Sequence, residues 1–277
     1  MKFSKRVLLG AALLLSACQS SPPPVPHAGP PRGGGIAHGI DLPTDASDVL
    51  NELRGGRIDF VARYYRDPTS RWPPLTAREA QHLSSLGLKI VTIWEWHSHD
   101  PAYFTYGSGY NDAVQAYRQA KAVGQPAGSA IYFGVDFNAR GADLYRVDHY
   151  FRGVVAGFAA AGRGRPEYSV GVYGSGTVCA AMKAAGLARY AWLSNSRAWD
   201  GSDGYTDWNI KQVGRFAHLS FSHDANEARD EYGGFRIASY ALATPAPAPT
   251  PAAAAPAAAA APAQPTDAIA SLIGSLF

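Results

Sequence analysis

Short apolar runs alternate with stretches of helical period from Ile36 to Leu242. That alternation predicts an α/β protein, an irregular (β/α) TIM-like barrel with eight strands and about five helices. Two further observations point the same way. The expected strands finish in polar side chains, and the C-terminal ends of the strands are where barrels of this class carry their chemistry. The last three strands follow one another too closely for a full helix in each gap, which makes the barrel irregular.

The strands are expected at Ile36–Ile40, Asp59–Tyr64, Lys89–Trp94, Ala130–Val135, Ser169–Tyr173, Tyr190–Leu193, Trp208–Val213 and His218–Phe221. The helices are expected at Ala46–Arg54, Ala77–Leu86, Asn111–Val123, Leu144–Ala161 and Thr177–Ala185. Thr44, Thr76 and Asp143 stand at capping positions, and Gly55, Gly87, Gly124, Gly162 and Gly186 at stops. The fourth strand shows the logic. In I-Y-F-G-V-D-F-N, the apolar Ile131, Phe133, Val135 and Phe137 share the face suited to a helix layer. Tyr132, Gly134, Asp136 and Asn138 share the other face.

Outside this middle the composition changes. Of 277 residues 47% are hydrophobic, enough for a sizeable core, but the 20 prolines crowd towards both ends. Residues 1–17 read as a signal peptide, with Lys2, Lys5 and Arg6 ahead of the apolar run Val7–Leu15. Leu15-Ser16-Ala17-Cys18 resembles a bacterial lipoprotein box, which implies lipidation of Cys18 and anchoring in the cell envelope. Gln19 points to the outer membrane or periplasmic face if the cell is Gram-negative. Residues 18–35 form a Pro/Gly-rich tether. Residues 243–277 form a Pro/Ala-rich tail ending in a short apolar segment, Asp267–Phe277, whose partner the sequence leaves unknown. The formal charge of +3 disappears once the three N-terminal cations are removed, so nothing marks a nucleic-acid partner. With only two cysteines there is no disulfide scaffold, and Cys179 reads as a small buried apolar residue.

The polar strand ends are Asp41, Glu95, Asp136 with Asn138, Tyr173, Gln212, and Asp224 with Asn226 after the eighth strand; Trp192 lies near the end of the sixth. In a barrel they converge on one mouth, where crowded carboxyl groups act as acid, base or nucleophile and aromatic rings stack on sugars. No cofactor is called for. His97-x-His99-Asp100, with His218 and His223, offers an alternative as a metal-dependent hydrolase such as a phosphodiesterase. No further ligand spacing supports it, and no metal is expected. Gly171–Gly176 matches neither a nucleotide loop nor a nucleophile elbow and reads as a strand-to-helix turn. Arg63 and Arg66, beside Tyr64 and Tyr65, are candidates to pair with mouth carboxylates or with an acidic substrate.

G-I-D at 39–41, A-R-Y-Y at 62–65, I-Y-F-G-V-D-F-N at 131–138, V-G-V-Y-G at 170–174, A-W-L at 191–193 and I-K-Q at 210–212 together resemble the bacterial glycoside hydrolase-like domain of unknown function, which is similar to the glycoside hydrolase family 25 lysozymes. The resemblance spans Ile36 to about Leu242. It implies a glycan-binding cleft at the mouth, with cell-wall glycan as partner and Asp41, Tyr64, Asn138, Tyr173, Trp192, Gln212 and Asp224 as binding residues. The lysozyme pattern of Asp-x-Glu is departed from, because Asp136-Phe137-Asn138 puts an amide where the acid belongs, and an amide cannot supply a proton in the same way. Glu95, between Trp94 and Trp96 that would desolvate it, is the alternative acid, with Asp136 stabilising developing positive charge or orienting the sugar's acetamido group. Two functions follow: a glycosidase, or a non-catalytic glycan-binding envelope lipoprotein. A paired-carboxylate mechanism requires Glu95 and Asp136 to lie within roughly 5–10 Å across the cleft.

Overall fold

The computed structural model describes residues 35–229 and 231–237. The expected signal peptide, the lipidation expected at Cys18, and the expected tether and tail lie outside these residues. Seven strands run parallel, each paired with the next: β1 (Ala37–Asp41), β2 (Phe60–Tyr65), β3 (Lys89–Trp94), β4 (Ala130–Gly134), β5 (Ser169–Gly174), β6 (Tyr190–Leu193) and β7 (Ile210–Gly214). β8 (Asp224–Ala228) runs antiparallel to both β7 and β1 and closes the barrel. The helices are α1 (Leu50–Gly55), entered through a 3-10 turn at Ala46–Val49, α2 (Ala77–Ser85), α3 (Tyr106–Val123), α4 (Ala142–Ala161) and α5 (Gly176–Ala184). The predicted fold class is therefore the observed one.

β8 corrects the expected His218–Phe221. That stretch is loop, in which Phe216 stacks against His218 and His223. The true strand, D-A-N-E-A, is made of residues that disfavour strands in isolation and becomes one by pairing on both sides. Its direction also explains the missing helix. A hairpin-like return needs only a short connection, whereas a parallel one needs a crossover of about a dozen residues. Because β8 is reversed, its first residue lies level with the last residues of its neighbours, and Asp224 is directly opposite Asp41.

α3 begins ahead of the expected Asn111, capped by the Thr105 side chain, which accepts from Ser108 N–H at 3.1 Å. The glycines that blur its sequence pattern are a packing requirement: a Cβ at Gly109 would stand 2.0 Å from the carbonyl oxygen of Tyr150 on α4. Of the expected caps, Thr76 serves α2. Asp45 rather than Thr44 caps the 3-10 turn, and Asp143 lies in the first turn of α4 beyond its cap, Gly141.

Alternation divides the strand residues between two packed layers. Phe60, Val91, Ile93, Tyr132, Trp192 and Ile210 fill the barrel, while Ile40, Val61, Ile90, Ile131, Phe133 and Val172 meet the helices. β4 divides as its sequence predicted. Cys179 is fully buried on α5, where burial pushes its thiol up to about 12. Past β8 the chain crosses the N-terminal end of the barrel. There Gly233 O accepts from Ala130 N–H at 2.9 Å, Phe235 O from Ile90 N–H at 2.7 Å, and Tyr232 O from the Tyr132 hydroxyl at 2.9 Å. This crossing covers that end of the barrel and leaves the C-terminal mouth for chemistry.

Candidate active site

Two carboxyl pairs form at the mouth, each across neighbouring strands. Asp41 and Asp224 face one another from β1 and β8. Glu95, just past β3, and Asp136, just past β4, make the second pair. With His99 they present oxygen and nitrogen atoms all within 4.8 Å of one another. Gly134 makes room for this approach, since a Cβ there would lie 3.2 Å from Glu95 Cγ. The Glu95 carboxylate accepts from Ser98 Oγ at 2.9 Å. Burial, then the negative charge of Asp136, raises the affinity of Glu95 for its proton. Burial raises that of Asp136 too, against the opposing pull of His99, whose Nδ1 stands 3.2 Å from Asp136 Oδ2. Two adjoining carboxyls that resist ionisation are poised to share a proton. The indoles on either side of Glu95 pack into the helix layer. Trp94 belongs to the layer between barrel and helices, and the half-buried Trp96 also packs there.

Asp41 is buried at 4% exposure and accepts three hydrogen bonds, from Tyr64 Oη (3.1 Å), Gln212 Nε2 (3.3 Å) and Asn226 Nδ2 (2.7 Å). Burial outweighs those donors and lifts its pKa to about 7. A folded-state value above the ordinary 3.8 means that this carboxyl favours folding while protonated, and that its contribution fades as pH climbs from about 4 through about 7. An amide fits the same network, its oxygen towards Gln212 and Asn226 and its NH2 donating to the ambivalent Tyr64 hydroxyl. Asp41→Asn should accordingly raise the thermal midpoint at alkaline pH and flatten the midpoint's dependence on pH. Melting curves from acid to alkaline buffer check this; a variant less stable than wild type at alkaline pH would refute it.

Around the pairs, Gln212 ties the network together: its Oε1 accepts from Tyr173 Oη at 3.3 Å and from Asn195 N–H at 3.2 Å. Asn226 was noted in the sequence without a role; it holds Asp41 and accepts from Trp192 Nε1 at 2.9 Å. Trp192 itself is 1% exposed and packs inside the barrel against Tyr132 and Tyr173, so in place of the expected sugar-stacking surface it is the floor on which Asn226 rests. Asn138 is half-buried, and its Oδ1 accepts from Asp200 N–H at 2.9 Å, anchoring the β6–β7 loop. Tyr64, Tyr173, Gln212 and Asp224 remain at the mouth with at least part of each side chain in reach of solvent.

The histidine alternative separates into unrelated parts. His99 joins Glu95 and Asp136, so one imidazole and two carboxylates present possible ligands for a divalent ion. His97 instead packs against Trp96 and Tyr103, with ring centroids 4.6 and 5.2 Å away. His223 Nε2 accepts from Phe216 N–H and its Nδ1 meets Phe221 O, while His218 Nε2 meets Gly56 O at 2.8 Å; these rings are occupied in shaping a loop.

The mouth opens into a cavity of about 370 Å³ lined by Asp41, Tyr64, Arg66, Trp72, Glu95 and Asp224, among others. Trp72 went unnoticed in the sequence; its only signal is an indole in the turn-forming R-W-P-P, and it is 39% exposed. A groove of about 590 Å³ between α3 and α4 is roomier but lies away from the strand ends. Its carboxylate, Glu167, is paired with Lys121 at 2.9 Å.

This eight-stranded barrel, with carboxyl groups gathered at one mouth, is of the glycoside hydrolase-like class, as the family comparison shows. More narrowly, the chain belongs to the Rv2525c-like, glycoside hydrolase-like domain family, whose profile matches residues 51–239. It is 30% identical over 155 residues to the uncharacterized protein YbfG of Bacillus subtilis, a match covering 53% of this chain and only 21% of that longer relative. Among solved structures, the Tat-secreted protein Rv2525c of Mycobacterium tuberculosis, in complex with HEPES, superposes with a TM-score of 0.59 at 23% identity, over 72% of this chain and 98% of the other. The Clostridium perfringens spore cortex lytic enzyme SleM gives a TM-score of 0.50 at 14% identity, over 70% and 67%. At these identities the structures share the fold.

Proposed function

We propose that the barrel mouth hydrolyses a glycosidic bond in cell-wall glycan, with Glu95 as general acid and Asp136 as its carboxylate partner. The observation that carries this reading is the Glu95–Asp136 pair itself: reactive atoms within 4.8 Å, both carboxyls driven towards the protonated form, with Glu95 lining an open cavity. Glu95 gives its proton to the leaving sugar oxygen. The ionised Asp136 faces the positive charge that develops at the anomeric carbon, and water then gives its hydroxyl to that carbon and its proton back to Glu95. The short spacing suits a retaining arrangement, with carboxyls about 5–5.5 Å apart, better than an inverting one, which holds a water between them. Family membership supports the reading, as does the shared fold of an enzyme described as lytic for spore cortex. In this reading Cys18 carries lipid and holds the barrel at the envelope.

Asn138 favours a second reading. The position where the lysozyme pattern supplies its acid is an amide that braces a loop, and a mouth without acid catalysis would be a glycan-binding module of an envelope lipoprotein. Incubating the purified chain with peptidoglycan separates the two. New reducing ends and released fragments support hydrolysis, whereas co-sedimentation with the polymer and no fragments supports the binding module.

A further inference from the structure

Arg66 follows β2 directly, and α3 determines where its side chain departs. Its backbone N–H donates to Gln119 Oε1 at 3.1 Å and its carbonyl accepts from Gln119 Nε2 at 2.6 Å. The guanidinium lies over the Tyr64 ring, 3.9 Å from the centroid, in a residue only 9% exposed. A guanidinium has five N–H donors and does not give up its charge in a protein. Here a single long contact answers them, from Nη1 to Glu95 O at 3.4 Å, and Nε is buried with no acceptor among the described residues. No carboxylate lies within ion-pair distance of it among those residues. Three positions earlier, Arg63 shows what a purely structural arginine looks like: its donors reach both oxygens of Glu79 and the carbonyls of Leu42 and Pro73.

A buried cation left short of acceptors is costly unless something else completes it. Arg66 faces the cavity that Glu95, Tyr64 and Trp72 also line, and among its lining residues it is the one arginine or lysine. We propose that this cavity takes a sugar bearing a free carboxylate, held by the Arg66 guanidinium with the Trp72 ring as an apolar wall. The fork of a guanidinium matches a carboxylate in two parallel hydrogen bonds, and one cation balances one negative charge. The carboxyls that line the same cavity, Asp41, Glu95 and Asp224, oppose an anion less than their number suggests, because burial favours the neutral form of each. The inference rests on the glycan reading and narrows it to an acidic glycan.

The test is calorimetric binding by the purified full chain of two tetrasaccharides. One is the neutral N-acetylglucosamine oligomer. The other alternates N-acetylglucosamine with peptide-free N-acetylmuramic acid, whose lactyl carboxylate is free. D-glucuronate and D-glucose serve as single-sugar probes. The expected result is binding at least about 10-fold tighter for the acidic tetramer, in keeping with charge-assisted hydrogen bonds. Arg66→Gln should erase the preference while keeping neutral-oligomer affinity within about 3-fold, and Arg66→Lys should retain part of it. Removing a buried, uncompensated charge should also leave the Arg66→Gln midpoint no lower than wild type. If wild type binds both tetramers alike, the inference falls and the glycan reading stands, a comparison that holds even where the variant fails to fold. If D-glucuronate binds through Arg66 and neither tetramer does, the carboxylate pocket stands and the cell-wall reading falls. Binding of none of the four probes overturns both.

Discussion

Glu95→Gln and Asp136→Asn should each lower glycan turnover by about 10²–10⁴-fold, the range that positioned acid–base groups contribute, while leaving the barrel at least as stable as wild type. The stability half follows from the direction of the proton affinities. Both carboxyls hold their protons more tightly in the folded chain than in isolation, Glu95 through burial and then Asp136, Asp136 through burial. Each therefore favours folding below the ordinary carboxylate range and loses that contribution as pH rises through its raised folded value. An amide carries no charge to desolvate, so the variants should match wild type in acid and exceed it in alkali. The pH–rate profile adds a second signature. Hydrolysis needs Glu95 protonated and Asp136 ionised, which gives a bell. In any residual activity of Asp136→Asn the alkaline limb should move to lower pH, because the negative neighbour that helps Glu95 keep its proton is gone. Released reducing ends across pH, set beside urea unfolding of the same samples, measure both halves. Variants that cleave as wild type does would remove the pair from the mechanism. Variants that unfold would show the pair to be structural.

How far the site could be read from sequence depends on what alternation encodes. β3 and β6 were expected to the residue, because K-I-V-T-I-W and Y-A-W-L are rich in strand-favouring side chains and bounded by breaks in period. The parallel direction then put Asp41, Glu95 and Asp136 at one mouth. Asp224 arrived there for a different reason: it opens a reversed strand whose composition, D-A-N-E-A, carries no strand signal of its own. Alternation gives a face and not a depth, and Trp192 shows the difference. It points inward, as expected, but one layer below the mouth, where Asn226 caps it. Charge balance is equally invisible along the chain. Arg63 and Arg66 look alike in A-R-Y-Y-R, and only three-dimensional packing completes one and leaves the other wanting.

Glu79→Ala should be the most destabilising single change among the polar groups, by about 3–5 kcal/mol, the usual cost of removing one partner from a buried ion pair. Glu79 and Arg63 are both 0% exposed, and the pair ties α2 to β2. Glu79 Oε1 also accepts from Ala46 N–H at 2.8 Å, so its loss frees the start of the 3-10 turn as well. The cost is large because Glu79→Ala leaves the Arg63 guanidinium buried without its carboxylate partner. The double change Arg63→Met with Glu79→Leu should recover most of the stability, since apolar packing commonly replaces a buried ion pair at little cost. In a domain of this size the single change should lower the thermal midpoint by about 10 °C or more. Urea unfolding of the two singles and the double, in acid and at neutrality, gives the coupling directly; an additive double would show that the pair does not act as a unit. The effect should also reach the mouth. Arg63 Nη2 lies 3.5 Å from Pro73 O, next to the Trp72 that walls the cavity. A weakened pair should therefore loosen that wall, and glycan affinity should fall even at temperatures where the barrel remains folded.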